Sequence, residues 1–520
     1  MTNHPSPEAY RLMEVERSHH DAKEYRRRLM QGLGRPIISF EHQGNRFVAV
    51  GSQLHWSKNW RTFHDFLFGY IKQVFTPEWG NAELKKDLAQ RHPVMQWYQK
   101  LCDFQKVHGH GDGKVHSGEM TGSIKAYLAL AYDLYLCAHN ARLVPLLLKR
   151  LKSPKTFEGA LYETFVIGMF AKAGFKIEME EEDDSSTAHC EFVAIHLETG
   201  RKFSVEAKAV TSDSKRAGAT SEPPRIREKI YRALAKDLPH ERIVFIELNR
   251  AQTLSADGIP DWVPLVDAEI KDAERTLTIS GAPAPPAYIF VTNRDYLHNL
   301  DAPASLDMLF ANGFKIDDFA PRAPVPILKL VDARERHIEL HWLMQAMQKH
   351  GQIPSTFDDK TPEEAFHNLN ASDRLQIGQS YQIPDKQGNV INGVLTDGTV
   401  NVAQRKAYCS FFLANGDSVL VARELSDCDI VLYNSSPDSY FGVVKPVSKV
   451  VANALEAFDS FYNCYKNTLR ETLLKLMASW PDPNSRNQLS QDELARQYSA
   501  AMAGYFLHST QAPDGRRTQC

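Results

Sequence analysis

The chain predicts an α/β protein in three parts: a mainly helical domain over residues 1–150, a central-sheet unit over 151–330, and a β-rich plus helical domain over 331–520. Three observations carry this. Aromatic-rich stretches such as "WRTFHDFLFGYIKQVF" place apolar residues at helical spacing in the first part. From Thr156 to Asn293 helix and strand patterns alternate, as they do where helices cover a sheet. In the last part NG, DG and NGD punctuate alternating residues through "YQIPDKQGNVINGVLTDGTVNVAQRKAYCSFFLANGDSVLVAREL", as hairpin turns do.

Taken in order, "MQWYQKLCDFQK" and "GSIKAYLALAYDLYLCAHNARLVPLLLKRL" extend the helical pattern. The glycine-rich "VHGHGDGKVHSGE" between them reads as a loop, because His108, His110, Asp112 and His116 lack the rigid spacing of a metal motif. A helix at "TFEGALYETFVIGMFAKAG" then leads to strands at "FKIEMEE", "CEFVAIHLE" and "KFSVEAKAV". A helix at "PRIREKIYRALAKDL" precedes strands at "RIVFIEL" and "AYIFVTN". Beyond these come a helix near "DARERHIELHWLMQAMQKHG", the hairpin-rich stretch, one long amphipathic helix around "VSKVVANALEAFDSFYNCYKNTLRETLLKLMASW", and a frayed tail, "APDGRRTQC".

Composition narrows the function classes. Hydrophobic residues at 43% and charged residues at 24% are the balance of a folded globular chain. A net charge of −3 means that any nucleic-acid surface is a local basic patch. No run is apolar and long enough to span a bilayer, and the N-terminus carries no signal-like apolar core, so the expectation is a cytoplasmic protein without a membrane. Seven cysteines without a CxxC pair are expected to be reduced.

Chemistry concentrates in "FSVEAKAV". Glu206 and Lys208 share one strand face and interrupt an apolar segment, where desolvation is costly without a use or a partner. The preceding strand opens with Glu191, and "ETGRK" between them reads as a turn, so Glu191 and Glu206 can approach across a hairpin. Two converging carboxylates repel unless a cation lies between them, and their oxygens suit Mg²⁺ or Mn²⁺. Glu163 has Ala160, Val166, Ile167 and Phe170 as helical neighbours, which places it on the stripe expected to face the sheet; Glu158 is read as supporting the site from behind or as structural. Downstream, Lys215, Arg216, Arg225, Arg227, Lys229, Arg232 and Lys236 form a local basic excess suited to a phosphate backbone. Tyr231, His189 and His196 are read as packing residues, and the acidic run from Glu178 to Ser186 as a solvated turn.

The order of helix Glu163, strand Glu191 and strand Glu206-Ala207-Lys208, followed by a basic helix, resembles the PD-(D/E)XK nuclease superfamily over residues 156–293. "LYETFVIGMFAKAGFKIE" is similar to the first helix and strand of its Mrr-like members, with Glu163 and Gly174 at the matching positions. The resemblance implies a restriction-endonuclease-like fold and a Mg²⁺- or Mn²⁺-dependent nuclease acting on DNA, in restriction or antiviral defence. It implies a metal held by Glu191, Glu206, the Ala207 carbonyl and Glu163, with Lys208 orienting the attacking water. Glu191 departs from the family's usual aspartate. Two other readings remain: a non-catalytic nucleic-acid-binding or assembly subunit that keeps the fold, and an RNA-directed nuclease. A homo-oligomer or a regulatory protein partner is compatible with each.

Overall fold

The computed structural model describes residues 6–108, 115, 118–179, 190–210, 225–321, 324–366, 374–384, 388–445, 451 and 453–510. The chain forms two compact units, one of residues 1–310 with 343–447, the other of residues 311–342 with 448–520. The first unit therefore contains both the helices expected over 1–150 and the central sheet.

It begins with α1 (Pro7–Gln31), followed by a three-stranded antiparallel sheet of β1 (Ile38–His42), β2 (Asn45–Val50) and β3 (Gln53–Ser57). This sheet adds strands that the mainly helical expectation for residues 1–150 did not include. Gln43 and Gly44 both take positive φ, 48° and 72°, the twist a two-residue hairpin turn demands, and Gly51 at 58° helps make the next turn. Helices α2 (Phe63–Phe75), α3 (Pro77–Leu84), α4 (Pro93–His108), α5 (Gly122–Asn140) and α6 (Pro145–Leu151) follow. Thr62 and Asp65 cap α2 reciprocally, so the helix starts where its aromatic face begins.

Next come α7 (Phe157–Lys172), β4 (Phe175–Met179), β5 (Phe192–His196), β6 (Lys202–Ala209), α8 (Arg227–Leu234), β7 (Glu241–Glu247) and α9 (Val263–Thr276). A short ribbon, β8 (Thr278–Ile279) with β9 (Ala282–Pro283), precedes β10 (Ala287–Asn293) and β11 (Met308–Phe314). The strands from 156–293 expected of the sheet all form. Strand order is β11-β10-β7-β6-β5-β4, and the unit boundary falls within the edge strand β11. β4, β5 and β6 pair antiparallel, whereas β6, β7 and β10 run parallel, which requires crossovers through α8 and α9.

Register assigns the faces. Phe192, Val205, Ile243 and Tyr288 lie in one row, and Ala207, Phe245 and Phe290 in another on the same side. Phe170 of α7 packs on Phe175, Phe192 and Phe245, so α7 covers this side. Ser204, Glu206 and Lys208 point to the other, toward α8.

After α10 (Ile327–Arg336), α11 (Ile338–Gln348) and α12 (Pro362–Phe366), strands β12 (Ser380–Pro384), β13 (Val390–Asn401), β14 (Lys406–Leu413) and β15 (Ser418–Glu424) form the expected antiparallel meander. Its core comprises Leu395, Cys409 and Phe411 with Phe441. α13 (Asp427–Ser435) closes the first unit's final segment. The one long helix expected next is broken into α14 (Ala454–Tyr465) and α15 (Arg470–Leu476), because the chain turns at Thr468, whose N–H donates to the Tyr465 carbonyl. α16 (Pro483–Arg486) and α17 (Gln491–Thr510) complete the second unit, where α10, α14 and α17 pack around Val331, Phe458 and Ala503. The tail from 511 lies outside the described residues. Six described cysteines are free, and no described helix is long and apolar enough to cross a membrane.

Candidate active site

Alternation along β6 brings Glu206 and Lys208 to the same face, and antiparallel pairing brings β5 beside them. The Glu191 amide donates to the Val205 carbonyl at 3.0 Å, which fixes Glu191 at the mouth of the hairpin opposite Glu206. Lys208 Nζ lies 2.8 Å from Glu191 Oε1 and 2.5 Å from Glu206 Oε2. A second ammonium, Lys236 Nζ, reaches the other oxygen of Glu206 at 2.7 Å. Four charged groups of balanced sign thus form one cluster. Glu206 is buried within it, while Lys208 and Lys236 retain 20% and 31% of their side-chain exposure.

Burial alone would lower the Lys208 pKa, but the carboxylates of Glu191 and Glu206 outweigh it and hold the ammonium above its ordinary value. Lys208 is therefore a fixed positive charge at neutral pH. Ala207, between Glu206 and Lys208, pairs with Phe245 of β7 and faces α7 with its small side chain.

Glu163 sits elsewhere. It is buried in α7, on the helix that covers the opposite side of the sheet, and its Oε2 meets Arg150 Nη1 of α6 at 2.8 Å. The structure thus brings Glu191, Glu206 and Lys208 together and places Glu163 in a separate ion pair. Glu158 stands half-buried near the start of α7.

Of the basic residues, Arg225 is exposed before α8, Arg227 reaches Asp272 of α9 at 2.9 Å, and Arg232 pairs with Glu228 one turn earlier. Burial, Arg232 and Lys208 lower the pKa of Lys229, whose ammonium feels the Lys208 charge. Glu269 of α9 accepts the Arg227 amide at 2.8 Å and so holds the start of α8. Lys215, Arg216, His189, His110, Asp112, His116 and the acidic run from Glu180 onward lie outside the described residues. Tyr231 corrects its packing assignment: it is 44% exposed, on the solvent side of α8. His196 is buried against Phe175 and meets Thr199 in the hairpin turn, as packing requires.

Lys236 is the residue that sequence reasoning undervalued, counting it only within the basic excess. Its signal was position: it lies in the short connection from α8 into β7, the strand that pairs directly with β6. Among the described residues, no three or more His, Cys, Asp or Glu side chains are grouped as a metal site. The chain matches no family model, no curated protein and no solved structure.

Proposed function

We propose that the sheet unit is a divalent-metal-dependent nuclease of restriction-endonuclease-like architecture, acting on DNA. The observation that carries this reading is the meeting of Glu191 and Glu206 on one ammonium at a partly open sheet face. Both carboxylates approach Lys208 within hydrogen-bond range, so they bound a gap that already holds one positive charge. Mg²⁺ commonly takes one or two carboxylates and completes its shell with water and substrate phosphate, a donor set that these two residues fit.

Glu191 and Glu206 would hold such an ion, which supplies the positive charge that stabilises a phosphodiester under attack. Lys208, anchored by the same carboxylates, presents its ammonium to the attacked phosphoryl oxygen and to the water beside it. Exposed Arg225, with half-buried Arg227 beside it at the start of α8, lies where it would meet a flanking phosphate. Glu163, paired with Arg150, supports the helix in this reading rather than the ion.

One observation favours a second reading, a non-catalytic nucleic-acid-binding subunit. Lys236 completes the neutralisation of Glu206, so the cluster is balanced by its own side chains. Purified protein incubated with DNA and with RNA, in Mg²⁺ or EDTA, beside Lys208→Ala, separates the readings. The nuclease reading expects Mg²⁺-dependent cleavage that falls by about 10²–10³-fold in the variant. Equal products from both proteins overturn the assignment of this site, and no products from either, alongside salt-sensitive binding indifferent to Mg²⁺, overturn the nuclease reading in favour of the second.

A further inference from the structure

The sheet of β1, β2 and β3 buries one face and leaves the other bare. On the inner face Val48 and Val50 are buried, and His55 stacks edge-on against Phe66 and Tyr70 of α2. The outer face carries two apolar cross-strand rows. One is Ile38, Ala49 and Leu54; the next is Phe40, Phe47 and Trp56. Ile38, Phe40, Leu54 and Trp56 are 53%, 50%, 49% and 63% exposed. A contiguous apolar patch of this kind, standing on a sheet rather than scattered, marks an interaction surface.

The three rings form an ordered row. Phe40 and Phe47 stack at 4.8 Å with planes 4° apart, and Phe47 and Trp56 at 6.4 Å with planes 25° apart. Their faces are turned toward each other along the row, so the row can be lengthened at its ends. Trp56, on the edge strand β3, is the most exposed of the four. The chain that flanks the patch is rich in exposed cations. Between Arg35 and Arg61 the only acid is Glu41, which is paired with Arg46 at 2.9 Å, while Arg35, Lys58 and Arg61 are exposed. Lys58 directly follows the last residue of β3, two residues beyond Trp56. A chain with a net charge of −3 thus flanks its exposed aromatic row with exposed Arg35, Lys58 and Arg61.

We propose that this outer face binds single-stranded nucleic acid, with bases adding as further rungs on the Trp56 end of the ring row and phosphates meeting Lys58 and Arg61. Aromatic stacking tolerates any base because every base has a π-face, and the flanking cations supply affinity without sequence reading. An apolar protein surface would be served by the rings but would gain nothing from the flanking cations. The assignment stands apart from the nuclease reading and is tested without cleavage.

The experiment is fluorescence anisotropy in EDTA with a labelled oligo(dT) of about 20 nucleotides and a duplex of the same length as comparison. Wild type binds the single strand more tightly than the duplex. Trp56→Ala weakens single-strand binding about ten-fold, and Lys58→Ala with Arg61→Ala flattens the dependence of log Kd on log salt by about 0.7 per cation removed. Because the Trp56 side chain is mostly in solvent, its thermal melt should match wild type; should Trp56→Ala fail to fold, oligonucleotide quenching of tryptophan emission that is lost in Trp56→Phe gives the same answer. Absence of single-strand binding by wild type overturns the proposal, as does unchanged affinity in the variant. A dimer in sedimentation that Trp56→Ala dissociates, with oligonucleotide affinity unaltered, also overturns it and makes the face a protein interface.

Discussion

On the α8 side of the central sheet, Glu206 lies buried between two lysines whose stems run out toward water. On the α7 side, Arg294 lies buried against Glu247, its Nε 3.4 Å from Oε2, beneath the rings of Tyr162 and Phe165. Thr292 donates to the same carboxylate at 2.6 Å and so accepts from the Tyr162 hydroxyl at 2.8 Å. Burial opposes the charge on Arg294, yet Glu247 outweighs it and keeps the guanidinium above its ordinary pKa. The side chains of Arg294 and Glu247 are 4% and 1% exposed, against 20% for Lys208. Buried charge alone therefore does not mark an active site in this sheet. What separates the two clusters is reach to solvent, which the proposed site needs because a substrate must arrive where the charge is held.

The largest effect that tests this contrast is on stability. Arg294→Met leaves Glu247 buried without its ion-pair partner, and such a break costs about 3–5 kcal/mol. Lys208→Met leaves Glu206 with Lys236 and leaves Glu191 at the partly open end of the cluster, so a loss of about 1 kcal/mol is expected. Urea unfolding of the two variants measures both. Equal losses would mean that the α8 cluster is as much a structural ion pair as the α7 one, and the comparison would collapse.

A pH dependence sharpens it next. Lys172 of α7 is 1% exposed and donates to the carbonyls of Lys349 and Gln352, at 2.6 and 3.3 Å. Burial pulls its pKa down to about 7, Asp133 resists, and Lys349 adds to the fall. In the unfolded chain the group titrates near about 10.4. Between those values the unfolded state binds the proton and the native state does not, so stability rises with pH across about 7 to 10.4. Below that window the penalty for a buried ammonium is fully present. The raised pKa of Lys208 works oppositely: its contribution is complete below about 10.4 and is lost above it, so it adds no slope in the same range. Urea titrations of wild type and Lys172→Met at several pH values should show a difference that changes by a few kcal/mol across the window. A constant difference removes the distinction between the two lysines.

Much of the α8 side was legible in the sequence. Strict alternation through "FSVEAKAV" fixed which residues share a face, and the turn in "ETGRK" fixed Glu191 opposite Glu206. The α7 side was not legible, for a physical reason. From Ala160 to Lys172 every residue of α7 is buried, so no polar stripe tells which direction Glu163 faces, and its partner Arg150 comes from another helix. Lys236 was hidden because an ammonium in a connection takes its meaning from the strand it leads into. The β1–β3 sheet was hidden because its first turn uses Gln43-Gly44, which is not among the usual hairpin dipeptides, and because its exposed face is apolar, which blurs the alternation.

The smallest effect concerns what anchors each flanking helix. α7 is held by its own burial, whereas α8 has eight residues and takes its N-terminal cap from across the fold: Glu269 of α9 accepts the Arg227 amide at 2.8 Å. Burial raises the Glu269 pKa, against the backbone donors of Arg227 and Ile226, so the cap is held in a half-dry position where water replaces it poorly. Glu269→Ala should cost about 1 kcal/mol, the usual worth of a cap, and Glu269→Gln, which keeps an acceptor oxygen, should recover most of it. The loss should be local. Hydrogen exchange of the α8 amides quickens while that of the α7 amides stays slow, since local opening follows local packing. If α7 exchange quickens equally, the two faces open as one cooperative unit, and the accessibility of the Glu206 cluster is then a property of the whole sheet rather than of the helix that flanks it.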